Sequence, residues 1–142
     1  MEFSVHIPFV ELLGFELLSM DGGEAEIAFA PADEHLNSFD VVHGGASMTL
    51  MDVVMAHAAR SVEPAMGCVT IEMKTSFMRA ARGQLLAKGK LLHRTATMAF
   101  TEASIFDAAG KLCCHATGTF KFVARLPVSP SSAQPLNRIS ID

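Results

Sequence analysis

From Gly44 to about Ser61 the chain reads GGASMTLMDVVMAHAARS, with Ala, Met, Leu and Val on nearly every side and no Gly or Pro after Gly45. A helix that is apolar all round is a buried helix, so the remaining chain must wrap it. Behind it come four strand-like runs, near 67–78, 84–93, 97–107 and 111–123. They are separated by RAARG, by the region around Arg94 and by Asp107-Ala-Ala-Gly110. In the first run, alternation puts Val69, Ile71, Met73, Thr75 and Phe77 on one face and Thr70, Glu72, Lys74 and Ser76 on the other.

Ahead of the helix, residues 7–13 (IPFVELL) suit a short helix, with Pro8 in its first turn and Gly14 as a C-terminal cap. Phe15–Ser19 and Glu24–Ala30 read as strands around the hairpin turn Asp21-Gly22-Gly23, and 31–37 as a polar loop. Consecutive strands with no helices between them exclude a βαβ arrangement. The economical solution is an α+β domain in which a curved antiparallel sheet of five to six strands wraps one long buried helix.

Length sets one domain, expected over 1–126, followed by a Pro/Ser-rich tail, 127–142, expected to be flexible. Half of the 142 residues are hydrophobic, including ten Phe and nine Met. A lone monomer would struggle to bury that much, which points to a subunit interface.

The net charge of -4 argues against nucleic-acid binding. The basic residues are nonetheless clustered: Lys74, Arg79, Arg82, Lys88, Lys90 and Arg94 fall in a stretch from 73 to 101 that has no Asp or Glu. Such an edge suits a small phosphorylated ligand, and a solvated strand face is the plainer alternative. Three cysteines, Cys68, Cys113 and Cys114, make no CxxC and no even disulfide framework, which fits a reducing cytoplasm. The first residues, MEFSVHIPFVELLG, lack a basic n-region and a small-residue cleavage site, and no apolar run nears ~18 residues. The expectation is a cytoplasmic protein with no membrane partner.

Within the apolar helix stands a single acid, Asp52, preceded by His43-Gly44-Gly45 at the helix start. A carboxylate among Ala, Leu, Met and Val is unfavourable unless charge or chemistry requires it. Free amides at a helix start bind a carbonyl or oxyanion. Asp52 lies eight residues beyond Gly44, roughly 12 Å along the axis. One chain therefore cannot aim both groups at one carbonyl, whereas two antiparallel helices from two subunits can. With no GxSxG elbow, HExxH or phosphate loop, the equipment is modest and suits an activated substrate such as a thioester.

Asn37, then His43-Gly44-Gly45, then Asp52, with PFVELLGFELL upstream and TIEMKTSFMRAARG downstream, resembles the hot-dog-fold acyl-CoA thioesterases, in particular the phenylacetyl-CoA thioesterase-like group. The resemblance spans residues 7 to about 123. It implies a homodimer joined through a continuous sheet, commonly paired again into a homotetramer, with sites between subunits. It implies Asp52 as the catalytic carboxylate, Gly44 as the carbonyl-polarising amide, Asn37 near the thioester, and Thr70 as a hydroxyl that helps place water. His43 completes the catalytic set. Lys74, Arg79 and Arg82 are the candidates for the phosphates of CoA, which is part of the substrate; no separate cofactor and no metal are expected. Asp40 departs from the pattern, standing where these enzymes commonly have Gly.

Each residue has a plainer role available. Asp52 could pair with Arg60 or Lys74, His43 could be a hydrogen-bonding residue at the helix start, Asn37 a turn residue and Thr70 ordinary sheet surface. For Phe39, Met48, Met51, Met55 and Phe77, core packing is expected for most, with an acyl pocket as the alternative. Two other functions stay open: an acyl-CoA-binding module without catalysis, and a hot-dog hydratase or dehydratase using His43.

Overall fold

The computed structural model describes residues 1–124, and the tail expected at 127–142 lies outside the described residues. Helix α1 (Pro8–Leu13) opens on its proline and closes at Gly14, whose backbone is left-handed at φ 73° and whose N–H bonds Val10 and Glu11 carbonyls. Strands β1 (Glu16–Asp21) and β2 (Glu24–Phe29) form a hairpin across Gly22 and Gly23, both at positive φ. A short 3-10 turn, Asp33–His35, precedes the long helix α2 (Gly44–Arg60). Strands β3 (Met66–Phe77), β4 (Leu85–Arg94), β5 (Met98–Phe106) and β6 (Leu112–Ala124) follow without intervening helices.

All six strands join one antiparallel sheet in the order β1-β2-β4-β5-β6-β3. The sheet wraps α2, whose Leu50, Met51, Val54, Met55, Ala58 and Ala59 are fully buried. This is the expected hot-dog arrangement. Glycine lets helix and sheet approach closely: a Cβ on Gly89 of β4 would stand 2.5 Å from the Val54 carbonyl oxygen, and one on Gly118 of β6 would stand 3.0 Å from Met55 Cε.

The helix is not covered on every side. Gly45, Met48, Asp52 and Ala56, spaced by three or four residues, form an incompletely buried stripe. Beside that stripe runs β3, the edge strand, whose outer rim is unpaired among the described residues.

The expected alternation along β3 is broken. Thr70 pairs with Phe120 but Glu72 pairs with Thr119, so Ile71 is an extra residue in a β-bulge. A bulge reverses the facing of everything beyond it. Thr70, placed on the polar face by simple alternation, instead turns toward α2 and bonds Asp52. Met73, Thr75 and Phe77 also face inward, whereas Ile71 is 54% exposed.

Candidate active site

Four backbone N–H groups at a helix start need outside partners. At the start of α2, His43 is the N-cap and its Nδ1 accepts the Gly45 N–H at 2.8 Å. The His43 carbonyl accepts the Ala46 and Ser47 N–H groups at 2.9 and 3.1 Å. The Gly44 N–H alone has no partner among the described residues. Gly45 has a steric reason, since a Cβ there would meet His43 Nδ1 at 3.0 Å, whereas one on Gly44 would make only an ordinary contact with the Phe77 ring at 3.4 Å. The unpaired amide sits at the positive end of the helix dipole, where a developing oxyanion is stabilised.

The preceding loop folds around Asn37. Its Oδ1 accepts the Phe39 and Val41 N–H groups at 2.9 and 3.3 Å, which fixes the amide's orientation and leaves Nδ2 as a donor. Asp40 takes φ 56°, the only non-glycine at positive φ among the described residues, which accounts for glycine suiting this position. Asn37, Val42, Gly44, Ser47, Phe77 and Arg79 line a cleft of about 360 Å³. Cys114 also reaches it, and burial pushes its thiol up to about 11, so it is a neutral wall and not a thiolate nucleophile.

Two turns along α2, Asp52 Oδ1 accepts the Thr70 hydroxyl at 2.5 Å. Burial raises the Asp52 pKa above the ordinary aspartate value, and the Thr70 bond opposes that rise. Asp52 and Thr70 are thus together, as are Asn37 and Gly44 at the cleft. The two pairs are separated by roughly 12 Å of helix within one chain.

The cationic candidates divide. Arg79 lines the cleft and lies 3.9 Å from Asp107, and Arg82 is exposed in the same β3–β4 connection. Lys74 projects from the other face of β3, in step with Glu72, which accepts the Thr119 hydroxyl on β6. Further along, Lys88 pairs with Glu26 at 3.6 Å and Arg94 with Glu63 at 2.9 Å, so neither serves the cleft. No group of three or more His, Cys, Asp or Glu is placed to hold a metal among the described residues.

Core packing holds for Met51 and Met55 but not for Phe39, Met48 or Phe77, which are exposed. Sequence reasoning gave no weight to Ser47 or Cys114, which only the closing of β6 against the helix start brings to the cleft.

Residues 39–114 match the family model described as the thioesterase superfamily. The chain belongs to the thioesterase superfamily. It is a thioester hydrolase of the hot-dog fold. A conserved protein of Pseudomonas aeruginosa has the same fold as this thioesterase, with a TM-score of 0.78 and 32% identity over 81% of this chain and 93% of that one. Human acyl-coenzyme A thioesterase 13 is 27% identical over 115 residues, 78% of this chain and 82% of that protein. A mutant of the phenylacetic acid degradation protein PaaI from Thermus thermophilus superposes with a TM-score of 0.73 at 26% identity, covering 80% of this thioesterase and 97% of that chain. No helix among the described residues is long and apolar enough to cross a membrane.

Proposed function

We propose that the protein hydrolyses an aryl- or medium-chain acyl-CoA thioester to the free acid and CoA at a site shared by two copies of the chain. The observation that carries this reading is the unpaired Gly44 N–H at the start of α2 and the desolvated Asp52 two turns along the same helix, too far apart to act together within one chain.

In the proposed reaction the thioester carbonyl accepts the Gly44 N–H of one protomer, at the positive end of the helix. The partner's Asp52 takes a proton from water held with the partner's Thr70, and the water oxygen bonds to the carbonyl carbon. As the tetrahedral intermediate collapses the C–S bond breaks, and the thiolate leaves and takes up a proton. Direct attack by the carboxylate, followed by hydrolysis of the anhydride, gives the same products. Asn37 contributes its Nδ2 donors near the thioester. Arg79 and Arg82, at and beside the cleft, are the proposed contacts for CoA phosphates; Lys74 is less well placed, since it leaves the opposite face of β3. The acyl chain lies along the cleft and the open helix stripe. Human acyl-coenzyme A thioesterase 13 supports CoA as the carrier.

The hydratase reading depended on His43 as acid or base. Its Nδ1 is occupied by the Gly45 amide, which favours a structural role. Thiol release from a panel of acyl-CoAs tests the activity directly. Turnover of aryl or medium-chain members supports it, and saturable binding without thiol release turns the reading to a binding module.

A further inference from the structure

We propose that Asp107, on the turn between β5 and β6, is a positioning residue for substrate binding: it faces the Nε edge of Arg79 and so turns the terminal amino groups of that guanidinium toward the CoA phosphates. The inference rests on the reading of Arg79 as a phosphate contact and names the residue that orients it.

The turn itself explains only half of the Asp107 carboxyl. Its Oδ1 accepts the Ala109 and Lys111 N–H groups at 3.0 and 2.9 Å, while Gly110 at φ 79° lets the chain reverse. Asparagine closes such a turn equally well, because its carbonyl oxygen accepts the same bonds. The charge therefore needs another reason, the more so as the Asp107 side chain is only 19% exposed.

Arg79 supplies it. Asp107 Oδ2 lies 3.9 Å from Arg79 Nε, and the Arg79 backbone N–H bonds the Cys113 carbonyl at 3.1 Å just beyond the same turn. With Oδ1 tied to two backbone N–H groups, the carboxylate cannot follow the arginine, so the arginine orients to the carboxylate.

Which edge of the guanidinium is engaged matters. Of its five N–H donors one is on Nε and four are on the terminal nitrogens, which form a fork that grips a phosphate. Arg94 has the opposite arrangement, since Glu63 takes its Nη1 at 2.9 Å and occupies the fork. At Arg79 the carboxylate stands off Nε, no other partner engages the guanidinium among the described residues, and the side chain is half exposed at the cleft. Its fork is open to a ligand.

Two effects of the Asp107 charge oppose each other: it orients the cation, and it repels an approaching phosphate. A phosphate on the terminal nitrogens stands roughly 8 Å from the carboxylate, one Debye length in physiological salt, so the repulsion is largely screened. Orientation acts at 3.9 Å and wins, although a half-exposed pair without a direct hydrogen bond keeps the gain small.

CoA itself is the probe, since it carries every phosphate of the substrate whatever the acyl group. Calorimetric titration is expected to give a Kd about threefold higher for Asp107→Asn, which keeps the turn, and about tenfold higher for Arg79→Gln. In the double variant the Asp107 change is expected to add nothing, because it acts through Arg79. With the acyl-CoA turned over fastest in the thiol-release panel, Asp107→Asn should raise KM by the same factor at unchanged kcat, as lost uniform binding does. Equal or tighter CoA binding by Asp107→Asn, alongside weaker binding by Arg79→Gln, overturns the positioning role and leaves the phosphate contact standing. So does an Asp107→Asn effect that persists in the Arg79→Gln background. Wild-type affinity in Arg79→Gln removes the phosphate contact and the positioning role together, while thiol release still decides the activity. A wild-type protein that binds no CoA sinks both readings.

Discussion

The Thr70 hydroxyl donates to Asp52 Oδ1 across 2.5 Å, joining the edge strand to the middle of the central helix. This contact exists because the bulge at Ile71 turns Thr70 inward. It lowers the pKa of a carboxyl that burial raises, and so favours the ionised form. Thr70→Val is expected to shift the acid limb of kcat/KM upward, because the reactive form is the carboxylate. A pH–rate profile unmoved by Thr70→Val contradicts that role.

Asp52→Asn separates chemistry from stability. Loss of the base is expected to cost about two to four orders of magnitude in kcat. The folded pKa of Asp52 is raised, so the folded state holds its proton more tightly, and stability falls as pH rises from the ordinary aspartate value through the folded one. At neutral pH the amide is therefore expected to raise Tm. Thermal melts at pH 7 check the sign; a lower Tm for Asp52→Asn would contradict the desolvation argument.

His43 is expected to behave as a cap. His43→Ala removes the acceptor of the Gly45 N–H and should cost about 1 kcal/mol, whereas His43→Asn keeps an acceptor and most of that stability. Denaturant titration measures both. A catalytic acid or base would instead show an activity loss in His43→Asn at unchanged stability.

Buried His57 donates Nδ1–H to the Val53 carbonyl at 2.7 Å and packs edge-on against Phe3. Burial lowers its pKa from 6.5 to about 4. The neutral ring is the folded form, so its full contribution is present above 6.5 and is lost on acidification between 6.5 and about 4, on the order of 3 kcal/mol. His57→Asn should flatten the slope of stability against pH in that window, and an unchanged slope would assign it to other groups.

Gly89→Ala is expected to destabilise the fold by about 2 kcal/mol or more, since its Cβ would sit 2.5 Å from the Val54 carbonyl oxygen and must push helix from sheet. A denaturation midpoint equal to wild type would mean that α2 does not rest on β4 as described.

The buried helix and the strands were legible because apolar periodicity and turn chemistry act locally: α2 ends at Arg60 against an expected end near Ser61, and Gly22-Gly23 makes the hairpin turn. The bulge was not legible, since an extra residue such as Ile71 leaves no compositional mark and is revealed only by what β6 pairs with. Gly89 and Gly118 carry meaning only once helix and sheet meet. At the site, Asp52 and Gly44 stood out by chemistry and position. Ser47 and Cys114 did not, because they enter through contacts between distant segments.

The most direct test of a site divided between subunits is complementation between two dead variants. Gly44→Pro removes the amide at a helix position that accepts proline, and Asp52→Asn removes the acid. Each homodimer is expected to be inactive, and co-expressed chains in equal amounts should recover about one quarter of wild-type kcat, because half the dimers are mixed and each carries one intact site. Verified mixed dimers with no activity above the two variants measured separately would show that Gly44 and Asp52 do not work across the interface.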